Sequence, residues 1–206
     1  MEYVYKYVSF KQSHKKTLEN ILENNIYFSK TNDDFNKNDC VVLLEHDINL
    51  CGIFSTSDCF KNKHLWEKFG YGGSGVCIEY DLNKILATYS NIQHAKVKYT
   101  IADSQMSYDI FELPEKYKVE EEVRFVHSNI ASDEDRIVSL LENTITRIFL
   151  GVDFFSCDTF RSKKLDFIKQ INPNLPIIHL TNFFFFNSHK TLTKVDVIEK
   201  LKENTT

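Results

Sequence analysis

Glycine and proline are scarce, six and three among 206 residues, and four of the glycines crowd into positions 70–75. No stretch is rich in glycine and serine, and no segment repeats, so nothing in the sequence divides the chain into modules. A chain of this length can bury a full core, and residues 1–206 are read as one domain, with a core over about 3–180 and an extension over 181–206. Five cysteines (Cys40, Cys51, Cys59, Cys77 and Cys157) form no Cys-x-x-Cys pair. That odd, scattered set indicates neither a disulfide framework nor a zinc ribbon, and reduced thiols are expected. The seven histidines show no His-Glu-x-x-His spacing, so no structural metal is expected. No apolar run approaches the roughly 20 residues of a membrane span, and Met1–Tyr7 lacks the blocks of a secretory signal. A cytoplasmic chain without a membrane partner is the expectation. The net charge of −4 is mild and dispersed, which argues against a nucleic-acid groove built on bulk positive charge.

Aromatic residues are plentiful, with 17 Phe and 10 Tyr, and the hydrophobic fraction of 42% suits a globular protein. The richness in Asn, Lys, Ile and Phe follows A/T-rich codons and points to a low-GC source. The most informative segment is Val119-Glu120-Glu121-Glu122-Val123-Arg124-Phe125. At strand periodicity it sets Glu120, Glu122 and Arg124 on one face and Val119, Val123 and Phe125 on the other. Two carboxylates one pleat repeat apart repel each other, an arrangement suited to acceptors aimed at a sugar, a base or a cation, with the arginine offsetting part of the repulsion. The alternative is a solvated strand face whose ion pairs contribute little.

Hydrophobic periodicity predicts strands at Tyr3–Val8, Ile26–Ser29, Gly52–Ser57, Val76–Tyr80, Ala95–Ile101, 119–127, Thr146–Leu150 and Leu175–Leu180. Helices are predicted around 17–22, after Asp58 as a cap with Leu65, Trp66 and Phe69 inward, and over about 159–171. The last strand, helix and strand fit a parallel crossover. Thr31–Asp39 reads as a polar loop and Phe183–Phe186 as core. Gly70, Gly72 and Gly75 match Gly-x-Gly-x-x-Gly, but a dinucleotide fingerprint needs a strand before it and a helix after it. Here the order is reversed, leaving a helix-to-strand turn or the rim of a ligand cleft.

Tyr5-Lys6-Tyr7, the loop ending Phe35-Asn36, Phe54-Ser55-Thr56-Ser57, Leu65-Trp66, Gly75–Asp81, Glu120–Arg124 and Ile148–Gly151 follow one another in an order that resembles the bacterial domain-of-unknown-function family 2971. Phe35-Asn36-Lys37-Asn38 stands where that family usually has Phe-Asn-Asp-Pro, and Val123 where an aromatic usually precedes the final Arg. The layout is in turn similar to ADP-ribosyltransferases, whose split β-core binds NAD with a basic first-strand residue, a Ser-Thr-Ser strand and a Glu-x-Glu strand. Lys6 stands where His or Arg is usual, and Ser55-Thr56-Ser57 and Glu120-Glu121-Glu122 take the other two places.

The resemblance implies an α+β fold with a split, mixed β-core flanked by helices, and an NAD-dependent ADP-ribosyltransferase-like enzyme of a toxin, effector or phage-defence context. NAD would be the substrate, with no metal. Breaking the nicotinamide–ribose bond develops oxocarbenium character, which a fixed carboxylate stabilises. Glu122 is the expected catalytic carboxylate, and Glu120 is expected to orient the acceptor. Lys6 would meet a phosphate and Ser55 the ribose or Glu122. Tyr5 or Trp66 would form an aromatic wall, with Arg124 completing the NAD-binding set. For Trp66, a core position on an amphipathic helix is the competing reading. The alternatives are a non-catalytic sensor that binds a nucleotide or a protein, and an NAD glycohydrolase or a transferase acting on nucleic acid. The acceptor, protein or nucleic acid, would be chosen by loops at 31–50 and 102–117.

Overall fold

A computed structural model describes residues 2–30, 51–89, 91–101, 110–128, 130–182 and 189–203, and the backbone of 41–42 and 107–108. The loop Thr31–Asp39, Phe183–Phe186, and most of the two loops expected to choose an acceptor lie outside the described residues. The chain forms a mixed α+β fold. Its strands are β1 (Tyr3–Val8), β2 (Asn25–Tyr27), β3 (Ser29–Lys30), β4 (Val41–Val42), β5 (Gly52–Ser57), β6 (Val76–Asp81), β7 (Ile92–Lys96), β8 (Lys98–Thr100), β9 (Ser107–Tyr108), β10 (Glu112–Pro114), β11 (Glu122–His127), β12 (Ile137–Ser139), β13 (Ile145–Leu150), β14 (Ile177–Leu180) and β15 (His189–Leu192). The helices are α1 (Lys15–Leu22), α2 (Lys63–Lys68), α3 (Leu82–Thr88), α4 (Arg161–Gln170) and α5 (Lys194–Glu203).

Among the described residues, nine strands form one sheet in the order β15-β14-β13-β6-β1-β5-β11-β7, with β3 paired to β5 off that path. β6 is buried over Val76–Tyr80, as its nearly continuous apolar run requires of a strand covered on both faces. One face carries Val4, Val8, Phe54, Tyr80, Val123, Phe125 and Ile148 into the main core, where helices α1, α3, α4 and α5 add Ile21, Ile85, Phe167 and Leu201. The opposite face gathers Tyr7, Cys77, Phe149 and Leu180 with Leu65 and Trp66 of α2. β13 and β14 are parallel, and α4 lies between them in the chain, the crossover expected from the sequence. Residues His189–Glu203 belong to the same body: β15 pairs with β14 along the sheet edge, and Val197 and Leu201 are buried. No helix among the described residues is long and apolar enough to cross a membrane.

Four local expectations are corrected. Residues Glu115–Glu120 form a 3-10 helix, and Glu121 takes a left-handed conformation (φ 47°, ψ 47°), so the strand starts only at Glu122. The segment 95–101 breaks at Val97, whose burial and amide bond to the Glu122 carbonyl (2.9 Å) turn the chain from β7 into β8. Ile26–Ser29 breaks at the fully buried Phe28, whose amide bonds to the Arg136 carbonyl outside the ladder. Asn62 caps α2, accepting from the Leu65 amide at 3.2 Å, while Asp58 is engaged with Lys96 at 2.5 Å.

The glycine turn is held by packing. Tyr71, Gly72 and Gly73 have positive φ, and a Cβ on Gly75 would lie 2.4 Å from the Val8 carbonyl oxygen. A Cβ on Gly151 would lie 2.0 Å from the Gly73 oxygen. Gly75 and Gly151 are therefore required by the close approach of backbones, and none of the glycines lines the cleft at the β5 edge.

Candidate functional site

One edge of β5 is incompletely paired among the described residues. β11 occupies one edge of β5 along its whole length, from Gly52 to Ser57. On the other edge, β1 is bonded only at Tyr5–Ser57 and β3 only at Ser29–Ile53 and Lys30–Gly52. Between them, among the described residues, this edge of β5 has no paired strand at Phe54–Thr56, and Lys6 Nζ donates to the Ser55 carbonyl at 2.8 Å where a ladder amide would otherwise reach. The Lys6 ammonium also lies 5.2 Å from the Phe54 ring centroid. A cavity of about 340 Å³ opens at this gap, lined by Tyr5, Ser55 and Glu122 from one face of the sheet and by Lys6 and Thr56 from the other.

Register fixes the face from which each strand residue lines it. Opposed residues of antiparallel strands point to the same side, so the pairings Tyr5–Ser57, Glu122–Ser57 and Arg124–Ser55 put Tyr5, Ser55, Ser57, Glu122 and Arg124 on one face. Thr56 lies on the other and donates to the Val123 carbonyl at 2.8 Å. Of the residues singled out from the sequence, Tyr5, Lys6, Ser55, Glu120, Glu122 and Arg124 line this cavity. Trp66 does not. It is fully buried, donates from Nε1 to the Phe60 carbonyl at 2.9 Å and meets the Tyr7 ring edge-on at 5.2 Å, which makes it a core residue, not a cleft wall.

Glu122 and Arg124 form a buried two-point pair: Nε to Oε1 and Nη2 to Oε2, both 2.9 Å. The remaining Arg124 nitrogen, Nη1, bonds the Ile110 carbonyl. With its fork so engaged, Arg124 positions the carboxylate, and each Glu122 oxygen keeps lone-pair capacity toward the cavity. The Glu122 amide donates to the Tyr99 hydroxyl at 2.7 Å, and burial, the first cause, pushes that phenol up to about 12. Glu120 reaches the cleft from the 3-10 helix, where it bonds Lys68 of α2 at 2.6 Å. The Tyr5 phenol is raised above its ordinary value by burial and then by Glu79.

Several lining residues carry no mark in the sequence. Lys68 and Tyr117 flank Glu120, and His14, Ser13 and Thr17 approach from the turn and helix after β1. Lys68 and Glu120 are 52 positions apart, and only packing of α2 on the 3-10 helix joins them. His14 stood among scattered histidines with no spacing to mark it. Comparison of the chain with the models of known protein families, with curated proteins and with solved structures gives no match.

Proposed function

We propose that the cleft takes NAD or a related nucleotide and that the chain is an ADP-ribosyltransferase-like enzyme on a split β-core. The observation that supports this reading is the gap along β5, where a cation from β1 (Lys6), hydroxyls from β5 (Ser55, Ser57) and a carboxylate from β11 (Glu122) share one cavity. Its volume of about 340 Å³ falls at the low end of the roughly 300–1,000 Å³ typical of ligand sites, enough for a nucleotide portion with the remainder outside. In this reading the C1′–N bond to nicotinamide breaks with its electron pair leaving on the ring nitrogen. Glu122, held by Arg124, accepts from a ribose hydroxyl and stabilises the developing positive charge. An acceptor nucleophile, oriented by Glu120, then bonds C1′ and releases its proton to water.

One observation favours the non-catalytic nucleotide sensor as a second reading: the two-point pairing with Arg124 offsets much of the negative charge that Glu122 would bring to ribose. Nicotinamide release from NAD, measured beside NAD-dependent thermal stabilisation, separates the two. At a hundredfold excess over Kd, bound ligand stabilises by about 2.7 kcal/mol. Stabilisation with release supports the transferase, stabilisation without release supports the sensor, and neither effect removes the nucleotide reading.

A further inference from the structure

The cations and carboxylates of the cleft are unevenly distributed. Among the described lining residues the carboxylates are Glu120 and Glu122, and each is already bonded to a cation, Lys68 and Arg124. The opposite end, built by β1, β3 and the start of α1, presents Lys6, His14 and the hydroxyls of Ser13, Thr17 and Ser29 with no lining carboxylate among them. His14 is fixed there by its own turn: its Nδ1 lies 2.9 Å from the Ser9 amide nitrogen and 2.9 Å from the Ser9 hydroxyl. A backbone amide can only donate, so Nδ1 is the acceptor and the proton of the neutral ring resides on Nε2.

We propose that His14 is a specificity-determining residue of the cleft, its Nε2–H donating to a phosphoryl oxygen of the ligand beside the positive charge of Lys6. The ligand class is a phosphate or pyrophosphate ester, and its identification as a nucleotide rests on the reading of the cleft given above. Burial, followed by Lys6 and Lys11, holds His14 below its ordinary value, so it acts at neutral pH as a neutral donor of fixed orientation. Lys6 supplies charge without direction, and His14 supplies the direction.

The test uses the full chain at constant ionic strength, with inorganic pyrophosphate and NAD as separate probes. The His14 ring resonances are followed by NMR in the wild type, and affinities are measured for wild type, His14→Ala and His14→Gln at matched thermal melts. Expected is a shift of the His14 Nε2 signal by both probes, a loss of affinity of about tenfold or more in His14→Ala, and recovery of most of it in His14→Gln, which keeps a donor. Pyrophosphate binding with this pattern but no NAD binding retains the phosphoryl site and removes the nucleotide reading. NAD binding that leaves the His14 signal and the His14→Ala affinity unchanged overturns the role of His14 and retains the nucleotide reading. Binding of neither probe overturns both.

Discussion

Glu122 and Arg124 are two residues apart on one strand and almost wholly buried, at 6% and 2% exposure, so the environment gives them little water to fall back on. Removing one partner leaves the other as an uncompensated buried charge, a change that costs about 3–5 kcal/mol, whereas removing both is far milder. Glu122→Gln and Arg124→Met are each expected to destabilise the fold by an amount of that order, and the Glu122→Leu/Arg124→Met double variant by less than either, as read from urea unfolding. Additive losses would show that the pair carries no coupling. This bears on activity assays. Glu122→Gln is expected to lower nicotinamide release by two or more orders of magnitude (about 3 kcal/mol or more in the barrier), and the comparison holds only at temperatures where both proteins remain folded. Tyr99 adds a smaller effect. Its hydroxyl is the partner of the Glu122 amide, and Tyr99→Phe is expected to cost about 1–3 kcal/mol by leaving that amide unsatisfied.

At the scale of elements, Gly72 in the glycine turn and Gly151, which packs on it, behave differently, because space and backbone angle are separate constraints. Gly151 precedes a turn that presses on Gly73 and Trp66, where an added Cβ would sit 2.0 Å from the Gly73 oxygen and 2.9 Å from the indole. Gly72 has φ +65° but nothing within 4 Å of the Cβ it would gain. Gly151→Ala is therefore expected to shift backbone and lower stability by roughly 3 kcal/mol or more, while Gly72→Ala costs about 1 kcal/mol of local strain. Thermal melts of the two variants check the contrast, and equal effects would refute it. The same distinction explains Glu121. The sequence pattern Val-Glu-Glu-Glu-Val reads as a continuous strand, but the left-handed residue at 121 lets the chain leave the 3-10 helix and enter β11 with Glu122 already facing the cleft.

Across the whole molecule, a buried lysine sets part of the pH response. Lys164 has no exposed surface, donates to the Phe154 and Cys157 carbonyls at 2.8 Å each, and is lowered by burial to about 8 from 10.5. Between those two values the unfolded chain holds the proton and the folded one has released it, so stability rises with pH across that window. The thiols of Cys59 and Cys77 and the phenols of Tyr5, Tyr7 and Tyr80 are all raised by burial and work in the opposite sense once an unfolded cysteine ionises near 9 and an unfolded tyrosine near 10. An increase in stability is thus expected from about pH 8 only to about pH 9, and Lys164→Met is expected to abolish it. On the acid side, His14 and His179 are both lowered by burial. Their contribution is full above the ordinary histidine value of 6.5 and is lost as pH falls through their folded values. Denaturant titrations at stepped pH measure both arms, and a wild-type slope between about pH 8 and 9 that Lys164→Met leaves unchanged would contradict the assignment to Lys164.

The sequence by itself determined the elements whose residues repeat with a clear period. Alternation in Tyr3–Val8 and Gly52–Ser57, the apolar run Val76–Tyr80 and the strand-helix-strand order of 145–180 gave the main strands and the parallel crossover, because local pattern dictates which side of an element is buried. Period 2 also brought forward Glu120, Glu122 and Arg124, while Tyr5, Lys6 and Ser55 were nominated by the resemblance in motif order. Pairing was beyond the sequence. Only the tertiary structure decided that β1 and β3 divide one edge of β5 and leave a gap, that Lys68 reaches Glu120, that Trp66 closes over Gly151 and Gly73 instead of facing the cleft, and that His14 turns its Nδ1 to Ser9. Each of these depends on which segments meet across the sheet, and contact between distant segments leaves no periodic trace in the residues that make it.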